Sequence, residues 1–417
     1  MRVLVLDGNE NQAVACVRSL ARAGHEVCVG SDCSWSKAGW SRFARGAFRY
    51  VAPQRDADAF VESVARETVR ARGTLVLPMT ERTTLPLSAS REKIFEAGGR
   101  MVLPAHATVV RAFDKRQTTR LAESLGLTVP QTALICDREQ AVAFAERARF
   151  PVVLKPRTSE EVTAGGALRA TGGPVYARDA REFVAAFVEL TRRCSSLLAQ
   201  EFVEGAGAGY FALMREGEVR LEFAHRRVRD VRPTGSGSAV RESVAVQTAL
   251  REAGLAVLRA LRWHGVAMVE FRVRADGVPV FLEVNGRFWN SLPLAVYAGA
   301  DFPAMLAEMA ERGDVEPRFD YRAGVRCRWL LGDFRHLLEV MRGKPAGFPG
   351  EYPTRLKTLS EFLTPVAGTF HDNFSARDPA PELGDWLDFV LRRLPARAVK
   401  KSDAHDDRHA QSNFSLP

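Results

Sequence analysis

Val266-Ala-Met-Val-Glu270-Phe-Arg-Val-Arg-Ala-Asp276-Gly277-Val-Pro-Val-Phe-Leu-Glu283-Val-Asn285 is two apolar runs joined by Asp-Gly. Asp276-Gly277 is a strong two-residue hairpin signal, because both turn positions call for positive φ. With that loop, Ala275 pairs with Val278, and counting outward sets Glu270 opposite Glu283. Ala267, Val269, Phe271 and Val273 then share one face with Val280, Leu282 and Val284. Glu270, Glu283 and Asn285 share the other. Like charges directly opposite on a sheet are destabilising. A bound divalent cation relieves that, and three oxygen ligands suit Mg²⁺ better than Zn²⁺. The competing reading is a solvated hairpin with incidental charges. The third oxygen ligand, and Arg287 two positions beyond it, favour the metal.

Composition narrows the classes. The chain has 417 residues, 46% hydrophobic and 26% charged, which predicts two to four domains. It shows no apolar run long enough to span a bilayer, and the N-terminus enters a strand without a signal-peptide pattern. Cys16, Cys28, Cys33, Cys136, Cys194 and Cys327 form no Cys-x-x-Cys pair, so a reduced, cytoplasmic protein without a zinc or disulfide framework is expected. The formal charge of +9 comes from 59 Lys and Arg spread over the whole length. They read as solvated faces rather than a nucleic-acid patch.

The pattern before the hairpin is α/β. A strand at 3–7, a helix from Asn11 to Ala23 and a strand at 25–30 open a doubly wound sheet, with later strands at 75–78 and 101–104 and a helix at 57–71. Ligands of such sheets gather at the carboxyl ends of strands, here Asp7-Gly8-Asn9, Ser31-Asp32 and Thr80-Glu81. No Gly-x-Gly-x-x-Gly follows the first strand, which counts against a nicotinamide enzyme. A smaller α+β unit follows: a helix near 114–125, strand 131–136, helix 138–148, strand 151–155, a loop with Gly165, Gly166, Gly172 and Gly173, helix 179–193 and strand 197–203. A second sheet runs from Gly209 through Phe223 to the hairpin, with helix 247–262 between. Helices near 335–342 and 382–394 belong to a C-terminal extension, and 400–417 reads as a disordered polar tail.

Several residues outside the hairpin suit a nucleotide. Lys115 near a helix start and Lys155 at a strand end flank the smaller unit, ahead of the Gly-rich loop, and compact ammonium charges suit phosphates. The spacing is not a P-loop. Gln200-Glu201-Phe202-Val203 offers a carboxylate beside an apolar pair, a slot for an adenine ring. Arg226 and Arg227 run into Pro233-Thr-Gly235-Ser236-Gly237, an anion cradle or a flexible basic loop. Arg287 could neutralise charge on a moving phosphoryl group. Trp289 and Asn290 read as a core residue and a helix cap.

In chain order these pieces resemble the ATP-grasp superfamily. The markers are Asp114-Lys115, Phe150-Pro-Val-Val-Leu-Lys155-Pro, Gln200-Glu201-Phe-Val-Glu-Gly, Glu270-Phe and Glu283-Val-Asn285-Gly-Arg287-Phe-Trp. Phe223-Ala-His225-Arg226-Arg227 is similar to the carboxylate–amine ligase and carbamoyl-phosphate-synthase-like branch. The resemblance implies a Rossmann-like pre-ATP-grasp domain at 1–105 and an ATP-grasp domain at 106–312, whose lid is 126–203. The extension would occupy 313–399.

It further implies that Lys115 and Lys155 contact ATP phosphates and that Glu201, Phe202 and Val203 hold adenine. Glu270, Glu283 and Asn285 would bind one or two Mg²⁺, with Mn²⁺ as a substitute, and Arg287 would stabilise the transferring phosphoryl group. Arg226, Arg227, Gly235 and Ser236 are weaker substrate or phosphate contacts. The implied reaction is ATP-dependent joining of a small carboxylate to an amine through an acyl phosphate, releasing ADP. A bicarbonate- or carbamate-phosphorylating enzyme and a non-catalytic ATP-binding regulatory module are the alternatives. Relatives are often dimers, so a homodimer is expected. Many relatives carry Pro where this chain has Gly286, and no residue matches the usual ribose-binding acid.

Overall fold

The computed structural model describes residues 1–162, 168–235, 237–345, 348, 350–364, 366–391 and 393. Gly165, Gly166, Ser236 and the tail 400–417 lie outside the described residues.

Alternation of small and branched apolar residues builds the first unit. Strands Gly46–Arg49, Glu26–Ser31, Arg2–Val5 and Leu75–Leu77 form a parallel sheet in that spatial order. Three of its strands are buried on both faces, as parallel strands require, while the edge strand Gly46–Arg49 is largely exposed. Val3, Val5, Val27 and Val29 pack under helix Asn11–Arg22, while Leu4, Leu6 and Val76 pack against Phe60, Val61 and Val64 of helix Ala57–Thr68. Where a strand is expected at 101–104 there is only a single bridge, Leu75 to Arg100. Pro104 and the helix that begins at His106 leave no room for a longer ladder.

Two sheets follow, antiparallel except where Arg326–Arg328 pairs in parallel with Phe370–His371. The smaller orders Thr132–Ile135, Leu197–Glu201, Val152–Pro156 and Val175–Ala177, and helices Arg138–Ala145 and Ala180–Leu190 cover it through Ala141, Phe183 and Phe187. A short hairpin, Glu160–Val162 with Leu168–Ala170, projects from this unit. The larger sheet has seven strands: Pro279–Asn285, Gly265–Val273, Ala206–Arg215, Glu218–Asp230, Ser238–Val244, Arg326–Arg328 and Phe370–His371. Its central strands alternate except at a bulge beside Leu213 and Met214. Phe211, Leu213, Phe223 and Met268 face the N-terminal unit and helices Leu292–Ala298 and Phe302–Arg312. Tyr210, Ala212, Ala267, Val269 and Phe271 face helices Lys115–Ser124 and Thr248–Ala260.

The stretch after 312 is less separate than its sequence suggests. Two of its strands extend the large sheet, and its loops bury charge against the N-terminal unit. Lys37 Nζ bonds Asp385 at 2.7 Å, Arg18 Nε bonds Asp378 at 2.8 Å, and Asn373 bridges Asn11 and Asp385 at 3.0 Å each. Arg241 pairs with Asp372 in full burial. Paired buried charges of this kind cost little once formed but much when one partner is removed.

The hairpin departs from its expected form at two places. Gly277 N donates to Arg274 O (2.9 Å) and Arg274 N to Val278 O (3.1 Å), so the loop is the three residues 275–277. Only Gly277 of the loop takes positive φ, +83°, the pattern of a type I turn closed by a glycine bulge. The register that results, Arg272 with Val280 and Phe271 with Phe281, slips once more at Leu282. Beyond this bulge Glu270 stands opposite Glu283, Val269 opposite Val284 and Met268 opposite Asn285. Phe281 and Val284 therefore line the core, and Leu282 is only half-buried, contrary to the simple alternation.

Candidate active site

Asp114 begins the site by fixing a helix. Its carboxylate accepts from Arg116 N (3.0 Å) and Gln117 N (3.2 Å), capping helix Lys115–Ser124, and takes Arg157 Nε at 2.8 Å. The clamp ties the first helical residue to the end of strand Val152–Pro156, and Lys115 N donates to Arg157 O (3.0 Å). Lys115 Nζ then lies 3.6 Å from Glu283 Oε2 and 3.3 Å from Ser159 Oγ.

Lys155 and the hairpin carboxylates form one electrostatic unit. Burial pushes the Lys155 ammonium down to about 8; Glu283 opposes this, Lys115 adds to it and Glu270 opposes it. Burial also works against the charge on Glu283, but Lys115, Lys155, the Asn285 amide and Arg287 outweigh it and hold the carboxyl below the usual range. Glu270 takes Arg227 Nη2 at 2.6 Å. The repulsion expected between Glu270 and Glu283 is thus met in part by the protein's own cations. Asn285 Nδ2 faces Glu283 Oε1 at 3.4 Å and its Oδ1 accepts from Arg287 Nη2 at 3.0 Å.

Glu270, Glu283 and Asn285 present hard oxygens from adjacent strands, the donor set that Mg²⁺ prefers. Among the described residues no group of three His, Cys, Asp or Glu side chains stands ready for a metal. The set here is two carboxylates and an amide, which fits a magnesium ion that also draws ligands from phosphate. Asn285 would have to release Arg287 to offer its oxygen.

The remaining expected residues divide. Glu201 is exposed, with Oε2 accepting from Gln131 N (3.2 Å), and Phe202 packs edge-on to Tyr176 at 5.9 Å. Val203 follows, half-buried. Arg226 turns away from the carboxylates to Glu242 at 2.9 Å, because neighbours on a strand point to opposite faces; Arg227 alone of the pair joins the site. Gly235, φ +107°, brings its loop against the Tyr176 hydroxyl, where an added Cβ would sit 3.0 Å away. His225 is buried, with Nε2 2.8 Å from Ser291 Oγ, and burial holds it well below its usual pKa, so it is neutral. Trp289 is core as expected, but Ser291, not Asn290, precedes the next helix.

Gly286 has a local cause. A Cβ there would lie 2.3 Å from the buried Trp263 ring, so the proline common among relatives has no room. Three residues escaped sequence reasoning. Asp230, raised to about 6 by burial against the pull of Arg227 and Arg272, sits behind Glu270. Arg82 and Glu160 meet at 3.8 Å beside Arg287's neighbour Glu81, at the junction with the N-terminal unit. Their neighbour Glu81 was marked, by its place after a strand end.

Two α+β units face one another, Lys155 on the smaller and two carboxylates with an amide on the larger, beside the helix that carries Lys115, an arrangement like that of ATP-grasp folds. The chain has the ATP-grasp fold. No protein-family model matches it. It is 29% identical over 331 residues to the N-terminal section of the carbamoyl phosphate synthase large chain of Methanopyrus kandleri, covering 72% of this chain and 55% of that one. The chain thus spans about half the length of that curated relative. The biotin carboxylase domain of Hydrogenobacter thermophilus 2-oxoglutarate carboxylase, solved with MgADP, ADP and bicarbonate, superposes with a TM-score of 0.61 at 16% identity, covering 78% of this chain and 73% of that one. The L-amino acid ligase of Bacillus licheniformis does so with 0.58 at 17% identity, covering 76% and 75%. At these identities the structures share the fold.

Proposed function

We propose that the chain is an ATP- and Mg²⁺-dependent ligase that activates a small carboxylate as an acyl phosphate and joins it to an amine. The observation that carries this is the convergence of Lys115 and Lys155 on Glu283, whose facing partner is Glu270. Two cations and two carboxylates in one half-buried site suit a polyphosphate with its counter-ion better than they suit any neutral ligand.

Glu270, Glu283 and Asn285 would hold the magnesium, which supplies charge neutralisation of the phosphates when bound. Lys115 and Lys155 bind phosphate oxygens, and partial desolvation strengthens each contact. Glu201 with the Phe202-Val203 backbone holds the adenine. Arg287, anchored on Asn285 and 3.9 Å from Glu81, swings its guanidinium toward the phosphoryl group as charge develops. A substrate carboxylate attacks the γ-phosphorus and ADP departs. Attack by an amine on the acyl carbon then expels phosphate. Closure of the smaller unit on the larger would exclude the water that hydrolyses the intermediate.

A bicarbonate-phosphorylating reaction is the second reading, favoured by the match to carbamoyl phosphate synthase. Incubation with Mg·ATP and either pooled amino acids or bicarbonate with ammonia separates the two. ADP release with the amino-acid pool alone supports the ligase; release only with bicarbonate transfers the assignment.

A further inference from the structure

The N-terminal unit meets the lid beside the phosphate end of the site, and the junction is short of positive charge. Asp7, at the end of the first strand with φ 53°, accepts from Met79 N (3.0 Å), Thr80 Oγ1 (3.2 Å) and Thr83 Oγ1 (2.6 Å). These bonds fix the turn into helix Glu81–Ala89 and so place Glu81 and Arg82. Arg82 lies 3.8 Å from both Glu10 and Glu160, and Glu81 lies 3.9 Å from Arg287. With its amide oxygen turned inward, Gln54 also accepts from Arg82. Three carboxylates thus share two guanidiniums.

Glu160 is the member without enough partners. Its side chain is 9% exposed, and no described residue bonds its Oε2, which is closed off from solvent. The residue before it, Ser159, touches Lys115, so Glu160 stands one position from the phosphate cations. The charged groups facing it are Arg82 and Glu81 from the N-terminal unit, while Glu161 on its own hairpin turns away to Ser195. A buried carboxylate oxygen with no hydrogen-bond donor is unfavourable, so Glu160 Oε2 calls for one.

We infer that Glu160 Oε2 receives the ammonium group of the amine substrate and takes its proton, with Glu81 completing the cation site and Arg82 holding Glu160 in place. The inference rests on the ligase reading and names the second substrate's class: a primary amine that arrives protonated, as an amino acid does. An ammonium has no lone pair. Transfer of one proton to Glu160 frees the pair that forms the C–N bond to the acyl carbon. The acyl C–O bond to phosphate breaks, the second N–H proton leaves with phosphate as HPO₄²⁻, and Glu160 gives its proton to water admitted as the products leave. Burial, only partly offset by Arg82 and with Glu81 adding to it, lifts the Glu160 carboxyl to about 7, which suits a group that exchanges protons near neutrality.

The test compares two nucleophiles on the full chain. Wild type, Glu160→Gln and Glu160→Asp receive Mg·ATP and the twenty amino acids, with and without hydroxylamine, which is largely unprotonated at pH 7.5 and needs no base. Amides are read by mass spectrometry and hydroxamates by their ferric colour. Glu160→Gln should lower the amide-to-hydroxamate ratio by about 10²-fold, the lower end for a general base, and Glu160→Asp should recover part of it. In wild type, amide formation should rise with pH through about 7; in Glu160→Gln that inflection should vanish. An unchanged ratio, or equal loss of both products, overturns the inference while leaving the ligase standing. A wild-type chain that consumes no ATP with any amino acid overturns the ligase reading and the inference together.

Discussion

Replacing Lys155 by methionine should stabilise the free protein while disabling it. The folded chain holds the Lys155 ammonium at a pKa of about 8, against 10.5 for a free lysine, through burial that Glu283 and Glu270 offset only in part. That lowering corresponds to roughly 3 kcal/mol against the charged form. The sign follows from proton binding. Below pH 8 both folded and unfolded chains carry the proton, and the folded chain bears the full penalty. Between pH 8 and 10.5 only the unfolded chain remains protonated, so the penalty shrinks to about 1.4 kcal/mol at pH 9.5. Methionine fills most of the volume without the charge. Because the side chain is half-buried rather than enclosed, a gain of about 1–3 kcal/mol at pH 7 is the reasonable range. At roughly 2–4 °C per kcal/mol for a domain of this class, a melting shift of several degrees is expected. The same variant would lose the charge-assisted phosphate contact proposed for Lys155 and should bind ATP about 10- to 100-fold more weakly. Thermal melts at pH 7 and 9.5, each with and without Mg·ATP, read both effects. A variant that melts below wild type at pH 7, or that retains the nucleotide-induced shift, would refute the reasoning.

Two further perturbations probe the frame around the site. Asp385→Ala strands the buried Lys37 ammonium and unbonds Trp329 Nε1, which lies 2.5 Å from it, so a loss of about 3–5 kcal/mol is expected, together with faster proteolysis after residue 329. Equal melting of variant and wild type would show that the C-terminal stretch is not held by this network. Gly286→Ala drives a Cβ into the Trp263 ring and should cost about 1–3 kcal/mol and displace Asn285 and Arg287, lowering turnover; adding Trp263→Phe should restore part of both. Failure of the second substitution to rescue would assign the glycine to another cause.

The facing of the hairpin carboxylates was legible because they lie on strands. Residues on one strand face obey a period of two, so Glu283 and Asn285 had to share a side. Glu270 met Glu283 by a less direct route. The loop is one residue longer than Asp-Gly alone suggests, and the bulge at Leu282 takes up the difference, so the count succeeded although both local features differed. Bulges carry little sequence signal when the bulged residue is apolar like its neighbours. Arg226 misled for the opposite reason: a run of arginines hides which member points inward. The Arg82–Glu160 meeting was invisible, since 78 positions separate the two and only the packing of the lid on the N-terminal unit joins them. Strands Arg326–Arg328 and Phe370–His371 were missed because two or three residues, all but Cys327 charged or aromatic, show no period at all.

The central claim is that Glu270 and Glu283, with two lysines, form the phosphate and metal end of an ATP site. The direct measurement is the nucleotide product formed by wild type and Glu283→Ala with Mg·ATP and the amino-acid pool, resolved by chromatography. The account predicts ADP and inorganic phosphate from wild type and none above background from a folded Glu283→Ala, judged by an unchanged circular dichroism spectrum. AMP with pyrophosphate from wild type, or undiminished ADP from Glu283→Ala, would contradict it.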